Sequence, residues 1–510
     1  MFADLYATLP LSIVFVAGCL VTLLHRINDR ESEFLGTVSA LGLGLSLLMS
    51  YLLWGRESSA FSSDAFGLMM AMGKYELLVC GMLAGVGATV AFCSRISRAD
   101  DGYYPLINFA IFGMMILAVA TNLVTLYIGF EIVAVTVYLL ASAGRGPVLG
   151  MKYLAPNALA TGCMLYGMAF VYGETGCLDY VGIVTVLHGS EPSGFLGIGL
   201  IFIIAAFGCK MGLVPFQRWA PDFYEEVPAA LAMLVICGAI TAYVIAIGRL
   251  FIMALPASAV GGLESNLFDA LWVAAAVTMT VANLAAIQQT NIKRMLAISS
   301  IGHVGYMMVG VLAAHSIGDP SSPLWGVGMG SILMYLLAFT LATVAAFGVV
   351  GLFEQQIEEP ITLDNIGKCT NQHGLAAFVL ALAMLSLAGV PPTGGFFGKM
   401  ALMRDVLGTN SDVLLGLILL AVINSALGVY YYLRVILYAF TTDGEAEMPY
   451  SLHASVLSIL AVLAISSLQV GLFPGKWVDA STTAAAELAR DASHTAEKKA
   501  LNPRHHNYSF

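Results

Sequence analysis

Apolar runs, each about as long as a bilayer is thick, alternate with short polar joints through almost the whole chain. A spanning helix needs about 20 mostly apolar residues. Runs of that kind fall near 8–24, 33–54, 75–94, 105–122, 123–143, 157–173, 195–213, 228–252, 268–288, 296–314, 326–350, 374–407, 413–440 and 454–473. The pattern predicts fourteen membrane helices, an all-α polytopic protein, with almost nothing left over for a soluble domain. The longest hydrophilic stretch runs from about Asp479 to Phe510 and carries Arg490, Lys498, Lys499 and Arg504. It reads as a surface helix or as disordered chain.

Composition agrees. Of 510 residues, 59% are hydrophobic and 11% charged, against about a quarter charged in soluble domains. Lipid must therefore be the solvent for most of the chain. The net charge of -10 excludes a basic nucleic-acid surface. The first apolar run has no basic residue before it and follows Asp4, so it reads as a retained first membrane helix, not a cleaved signal. The eight cysteines (19, 80, 93, 163, 177, 209, 237 and 369) form no C-x-x-C and read as buried structural residues, not as a metal or iron–sulfur framework.

Charge in the joints orients the spans. Loops after odd-numbered spans carry Arg26, Arg30, Arg95, Arg98, Arg145, Lys152, Arg218, Lys293, Arg294 and Lys368. Loops after even-numbered spans carry Arg56 and Lys74, with Arg249 and Arg404 at span ends. The positive-inside rule then places both termini on the outer side.

Four ionisable residues stand inside predicted spans: Glu131, Lys210, His303 and Lys399. A charge at mid-bilayer costs about 2.5–3.5 kcal/mol on insertion scales, so each needs a reason. Glu131 sits in YIGFEIVAVTVYLL, with Tyr127 and Tyr138 on its face. It serves either function or a locked ion pair. Lys210 lies in FGCKMGLVPF, five residues before Pro215. Lys399 lies in AGVPPTGGFFGKM, after Pro391, Pro392, Gly394 and Gly395. Proline breaks a helix. Two proline-broken spans five helices apart, each with a lysine, look like the inverted repeat of a transporter. A buried lysine loses proton affinity by desolvation and regains it beside a carboxylate, so a lysine with a moving partner exchanges protons. Glu131 and Lys210 suit such a pair. His303, in SSIGHVGYMM with Ser299 and Tyr306 on its face, suits relay work by its ordinary pKa, or else is a packed core histidine. No second mid-span histidine accompanies it for a bis-histidine haem.

Six stretches between about Asp64 and Phe440 go further: NLVTLYIGFEIVAVTVYLL, MKYLAPNALATGCMLYGMAFVYGETG, LVPFQRWAPDFYEEVPAAL, NLAAIQQTNIKRMLAISSIGHVGYMMVGV, LSLAGVPPTGGFFGKM and NSALGVYYYLRV. In that order they resemble the subunit N type of NADH–quinone oxidoreductase (respiratory complex I), within the antiporter-like family shared with Mrp-type cation/proton antiporters and membrane-bound hydrogenases. The resemblance implies fourteen core helices with two inverted five-helix repeats at spans 4–8 and 9–13. It implies four segments: 1–104, 105–252, 268–440 and 454–510. It makes Glu131 the acid of the fifth helix, Lys210 the lysine of the broken seventh, His303 a member of the central polar axis and Lys399 the lysine of the broken twelfth. A sister type carries glutamate there, and the longest sister type adds a lateral helix that this chain is too short to hold.

The implied function is a proton-translocating subunit of a translocase in a bacterial inner membrane. It would work with other membrane and peripheral subunits, and NADH, flavin, iron–sulfur clusters and quinone would lie in those partners. No cofactor or metal is expected in this chain, which has no nucleotide-binding fingerprint. One departure stands out. The family's eighth-helix lysine falls at Ile240, and no lysine occurs between Arg218 and Arg249. Water held by Thr241 and Tyr243, or His303 alone, would have to bridge the gap. Two alternatives stay open: a subunit of a cation/proton antiporter or membrane-bound hydrogenase, and a non-pumping scaffold.

Overall fold

The computed structural model describes residues 6–27, 32–55, 59–63, 67–95, 102–188, 193–256, 264–316, 327–357, 359–409, 411–442 and 453–501. In chain order the helices are α1 (Leu9–Ile27), α2 (Ser32–Leu52), α3 (Lys74–Ser94), α4 (Tyr103–Val119), α5 (Leu123–Arg145), α6 (Pro147–Thr175), α7 (Tyr180–Leu187), α8 (Gly194–Met211) and α9 (Trp219–Glu226). They continue as α10 (Ala229–Ala254), α11 (Glu264–Ile287), α12 (Ile292–Ser316), α13 (Val327–Ile357), α14 (Leu363–Gln372), α15 (Gly374–Ala388), α16 (Gly394–Gly408), α17 (Asp412–Thr441), α18 (Ala454–Leu472) and α19 (Pro474–Leu501). Twelve are long and apolar enough to span a bilayer, and the shorter apolar α4 and α15 bring the count to fourteen. The chain is an all-α, multi-pass membrane protein.

Burial sorts the helices. The spanning windows of α10 and α12 are wholly enclosed, whereas α1, α2, α6 and α17 show large apolar side chains outward, among them Leu23, Leu41, Leu159 and Leu419. A helix apolar all round belongs in a core, and one with an outward apolar face belongs against lipid. The 31 residues of α13 make a strut about 46 Å long, packed against α10, α12, α15, α16, α18 and α19.

The two halves share a local signature. Where α4 passes into α5, Leu123 N–H donates to Leu178 O at 2.9 Å and Tyr180 N–H to Thr121 O at 3.0 Å. Where α11 passes into α12, Ile292 N–H donates to Ile361 O at 2.9 Å and Leu363 N–H to Thr290 O at 3.0 Å. Asn122 and Asn291 cap the helices that follow, accepting from Val124 N–H and Arg294 N–H. Successive spans alternate in direction, so these matching junctions face opposite membrane surfaces. That is the geometry of an inverted repeat over spans 4–8 and 9–13. The surface that holds the α4–α5 junction also holds the starts of α3 and α13, with α7 and α19 packed there. It is the tail side below.

Several details differ from the sequence reading. The run at 374–407 is two helices, α15 and α16, parted at the prolines. α6 starts ten residues before the expected 157, because Pro147 suits the first helical turn. Lys152 is therefore helical, and pairs with Glu226 at 2.5 Å. A short antiparallel hairpin, β1 (Ser59–Ser63) with β2 (Gly67–Met72), was not anticipated; it docks on the α4–α5 junction through Thr121 N–H to Met69 O at 3.2 Å. The polar tail is helical from Pro474 to Leu501 and buries Ser481, Ala484, Ala485 and Leu488. None of the eight cysteines is in a disulfide, and six are buried. Arg30, Arg56, Arg98 and Arg504 lie outside the described residues.

Candidate functional site

Both broken spans end their first half in the same way. Gly212 closes α8 at φ 70° and Gly389 closes α15 at φ 80°, a left-handed conformation that costs other residues about 1–2 kcal/mol. Three residues after each glycine comes a proline, Pro215 or Pro392, after a cis peptide bond. The first break is anchored to the second repeat, since Val214 N–H donates to Thr278 Oγ1 of α11 at 3.0 Å. The second closes on itself, Gly395 N–H donating to Ser386 Oγ at 3.3 Å.

The two lysines meet these breaks differently. Lys210 is in the last turn of α8. Lys399 belongs to α16 but reaches back across the break, donating to Leu387 O at 3.3 Å, Ala388 O at 3.1 Å and Ser425 Oγ at 2.9 Å. The last carbonyls of a helix lack intrahelical partners and carry the negative end of its dipole. The Lys399 ammonium thus stands at the carbonyl end of a broken half-helix, whereas Lys210 shares only its position, in the last turn before the break. Lys210 has no hydrogen-bond partner and lies 4.4 Å from the Phe130 ring centroid, a cation–π arrangement. Both lysines are buried, 2% and 7% exposed.

Glu131 follows Phe130 on α5 but forms no ion pair with Lys210; its carboxylate accepts from Thr161 Oγ1 of α6 at 2.5 Å. His303 on α12 is 5% exposed and bridges two hydroxyls: Nδ1 is 2.6 Å from Tyr335 Oη, and Nε2 is 3.0 Å from Tyr432 Oη. Tyr431 beside it donates to Asn283 Oδ1 at 2.9 Å, and Asn283 Nδ2 donates to Tyr306 Oη at 3.4 Å. Lys399 Nζ lies 5.3 Å from the Tyr306 ring centroid. The structure thus joins His303 to Lys399 through one shell of tyrosines, while Glu131 and Lys210 form a second group in the first repeat.

α10 separates the two groups. It takes wide π turns over Leu234–Ala239 and Leu250–Ala254. Ile240 follows the first and is buried. Thr241 returns its hydroxyl to Cys237 O at 2.7 Å. Tyr243, one turn beyond Ile240, packs edge-on against Phe130 at 5.4 Å between centroids, and its hydroxyl has no partner. It therefore shares with Lys210 the ring of Phe130.

Sequence reasoning missed a buried ion pair. Arg249 of α10 is fully enclosed and bonds Glu76 of α3 and, at 2.9 Å, Ala118 O of α4. The other Glu76 oxygen accepts from Gly73 N–H at 2.8 Å. Arg249 was visible as a charge at a span end. Its partner stands 173 residues away, in the first turn of α3. A second missed pair, Lys293–Glu354 at 2.9 Å, ties α12 to α13. Among the described residues, no group of His, Cys, Asp and Glu side chains is arranged to hold a metal ion.

Comparison with known proteins places these features in context. Residues 120–428 match the family described as NADH:quinone oxidoreductase/Mrp antiporter, TM. The chain is 32% identical to NADH-quinone oxidoreductase subunit N of Trichlorobacter lovleyi over 491 residues, 92% of this chain and 96% of that one. It is 32% identical to the subunit N of Chloroflexus aggregans over 486 residues, 92% of this chain and 95% of that one. Among solved structures, a chain of respiratory complex I from Thermus thermophilus superimposes with TM-score 0.75 at 27% identity, over 92% of this chain and 99% of that one. A chain of the Mrp complex from Dietzia sp. DQ12-45-1b has the same fold at TM-score 0.83 and 18% identity, over 96% of this chain and 99% of that one.

Proposed function

Because the chain belongs to the NADH:quinone oxidoreductase/Mrp antiporter family, we propose that it is the proton-translocating, subunit N-type membrane member of a complex I-type NADH:quinone oxidoreductase. Its partners are the other membrane and peripheral subunits, which hold the NADH, flavin, iron–sulfur and quinone chemistry. The membrane is the bacterial inner membrane, with the tail side and both termini outward.

One observation carries this reading: each broken span holds a buried lysine at its break, and the second lysine, seated on the carbonyl end of α15, adjoins a histidine held between two tyrosine hydroxyls. In the first repeat, Glu131 is the acid whose approach decides whether Lys210 keeps its proton. Tyr243 is the hydroxyl through which a proton passes α10, where Ile240 offers no carrier. His303 and its tyrosines deliver it to Lys399, which hands it on at the second break.

The test uses the whole complex in sealed vesicles, measuring proton uptake per electron during quinone reduction. Lys210→Ala and Lys399→Ala each lower that ratio, whereas Lys368→Ala, on the exposed face of α14, leaves it unchanged. Equal ratios in all three variants would sink the relay.

The absence of a lysine, histidine or carboxylate in α10 before Arg249 supports a second reading, a non-pumping scaffold. That reading requires every relay variant to leave the ratio intact while the complex still assembles. A stand-alone cation/proton antiporter subunit is a third class; copurified subunits that carry no redox centre would mark it.

A further inference from the structure

A cleft of about 790 Å³ separates the N-terminal helices from the second repeat. α2 and α3 form one wall, α13 and α18 the other, and α19 crosses the tail-side end. It lies away from Lys210, His303 and Lys399. Its volume falls in the range of small-molecule sites, about 300–1,000 Å³.

The walls are hydrocarbon. The hydroxyls of Ser50, Thr89 and Ser481 are returned to their own helices, at Ser46 O, Gly85 O and Val478 O. Gly81 and Gly85 on α3 form part of the floor, and a Cβ built on either meets nothing nearer than Leu47, at 3.5 and 3.9 Å. The lining on α3 runs from Leu77 to Phe92, about 22 Å along the helix axis. That exceeds half of a hydrocarbon core about 30 Å thick. At the rim, Tyr51 near the end of α2 is 77% exposed. An empty cleft leaves its walls without contacts, and the unpaired hydroxyl of Thr340, which lines it, falls short of the about two to four partners a water needs.

The tail-side mouth has a different character. Trp54 and Trp477 stand there, the residue type favoured at the headgroup level. The exposed Lys476 precedes Trp477. Lys74, which starts α3, is already paired with Glu487 of α19 at 3.2 Å, so the cation that the rim offers to a ligand is Lys476. Apolar depth with an aromatic, cationic rim matches one molecular shape. We propose that the cleft holds an acyl chain of an anionic phospholipid, with its phosphate at the tail-side mouth beside Lys476. The lipid joins the N-terminal helices to α13 and α18 where protein does not fill the space.

The experiment uses the intact complex, extracted in mild detergent and passed through phosphatidylglycerol or phosphatidylcholine micelles. Bound phospholipid is counted by mass spectrometry. The wild type retains phosphatidylglycerol on this subunit. Gly81→Leu/Gly85→Leu retains one molecule fewer per complex, and Lys476→Glu loses the preference for phosphatidylglycerol over phosphatidylcholine. In parallel, phosphatidylglycerol with a photoactivatable acyl chain labels peptides spanning 77–92 and 333–344 of the wild type, a result that does not depend on the double variant assembling. Equal retention in an assembled double variant, or labelling that spares both segments, overturns the proposal. So does retention of a quinone in place of lipid, released by Thr340→Val: Thr340 lines the cleft and its hydroxyl has no partner, the one feature suited to a quinone carbonyl.

Discussion

A neutral imidazole accepts at one ring nitrogen and donates at the other, so a histidine clasped between two hydroxyls moves a proton only by exchanging those roles. His303 is clasped in that way by Tyr335 and Tyr432. Replacing it by phenylalanine keeps the ring contacts with Tyr306 and Phe339 but removes both nitrogens. The expected result is an assembled complex that still reduces quinone with fewer protons moved per electron; an unchanged ratio in vesicles refutes the role. Arg249 calls for a different outcome. Breaking one side of a buried pair typically costs about 3–5 kcal/mol, while replacing both sides by apolar groups is often neutral. Arg249→Met should therefore lower the melting temperature and yield of the complex, and Arg249→Met/Glu76→Leu should recover much of both. A double variant no better than the single one contradicts this account. Lys210, His303 and Lys399 were legible in the sequence because a charge inside an apolar run is conspicuous. Their surroundings were not, since Tyr432 stands 129 residues from His303 and tyrosine, asparagine and serine are unremarkable in a span. Glu76 was missed because a carboxylate at a helix start has an ordinary explanation in the dipole.

Among the elements, the broken helices were foreseen from their prolines, but their termination lies in the preceding glycines. A Cβ at Gly389 would sit 3.1 Å from Lys399 Nζ at a φ of 80°. Gly389→Ala should thus combine about 1–2 kcal/mol of backbone strain with displacement of the ammonium from the carbonyls of α15. Proton uptake per electron should fall in Gly389→Ala and stay normal in Gly408→Ala, where an added Cβ meets nothing within 4 Å. Equal behaviour of the two variants argues against the coupling. The π turns of α10 were invisible, because an extra residue per turn leaves no mark on an apolar sequence. They leave Ile240 itself undisturbed: from Ile240 to Arg249 the helix is α, so counting back from Arg249 holds, and only the residues before Ile240 change the face they present. Tyr243 was already legible as a residue to hold water beside the gap; its packing against Phe130 adds the link to Lys210.

At the scale of the molecule, the fourteen spans and the relation between their two halves were readable from run lengths and from the recurrence of a lysine beside prolines. The tail was only half readable, since α19 has few large apolar residues and its fixed position comes from small ones, Ala484 and Ala485, set against α3 and α13. Ending the chain after Phe473 should therefore reduce assembly, as judged by the yield of intact complex on native gels, and Lys74→Ala should reduce it less, because it removes only one side of the half-buried Lys74–Glu487 pair and leaves the packing of α19 in place. If truncation is harmless, α19 is only an appendage. The buried pair of Glu76 and Arg249 also has a history. Its members are separated by 173 residues, and at about 5–20 residues per second of synthesis the carboxylate waits roughly 10–35 s for its arginine. During that interval α3 is already made and α10 is not. The N-terminal helices cannot reach their final arrangement until the first repeat is almost fully translated, and a nascent chain stalled before Arg249 carries a carboxylate that lacks its native partner and must take up a proton to stay buried.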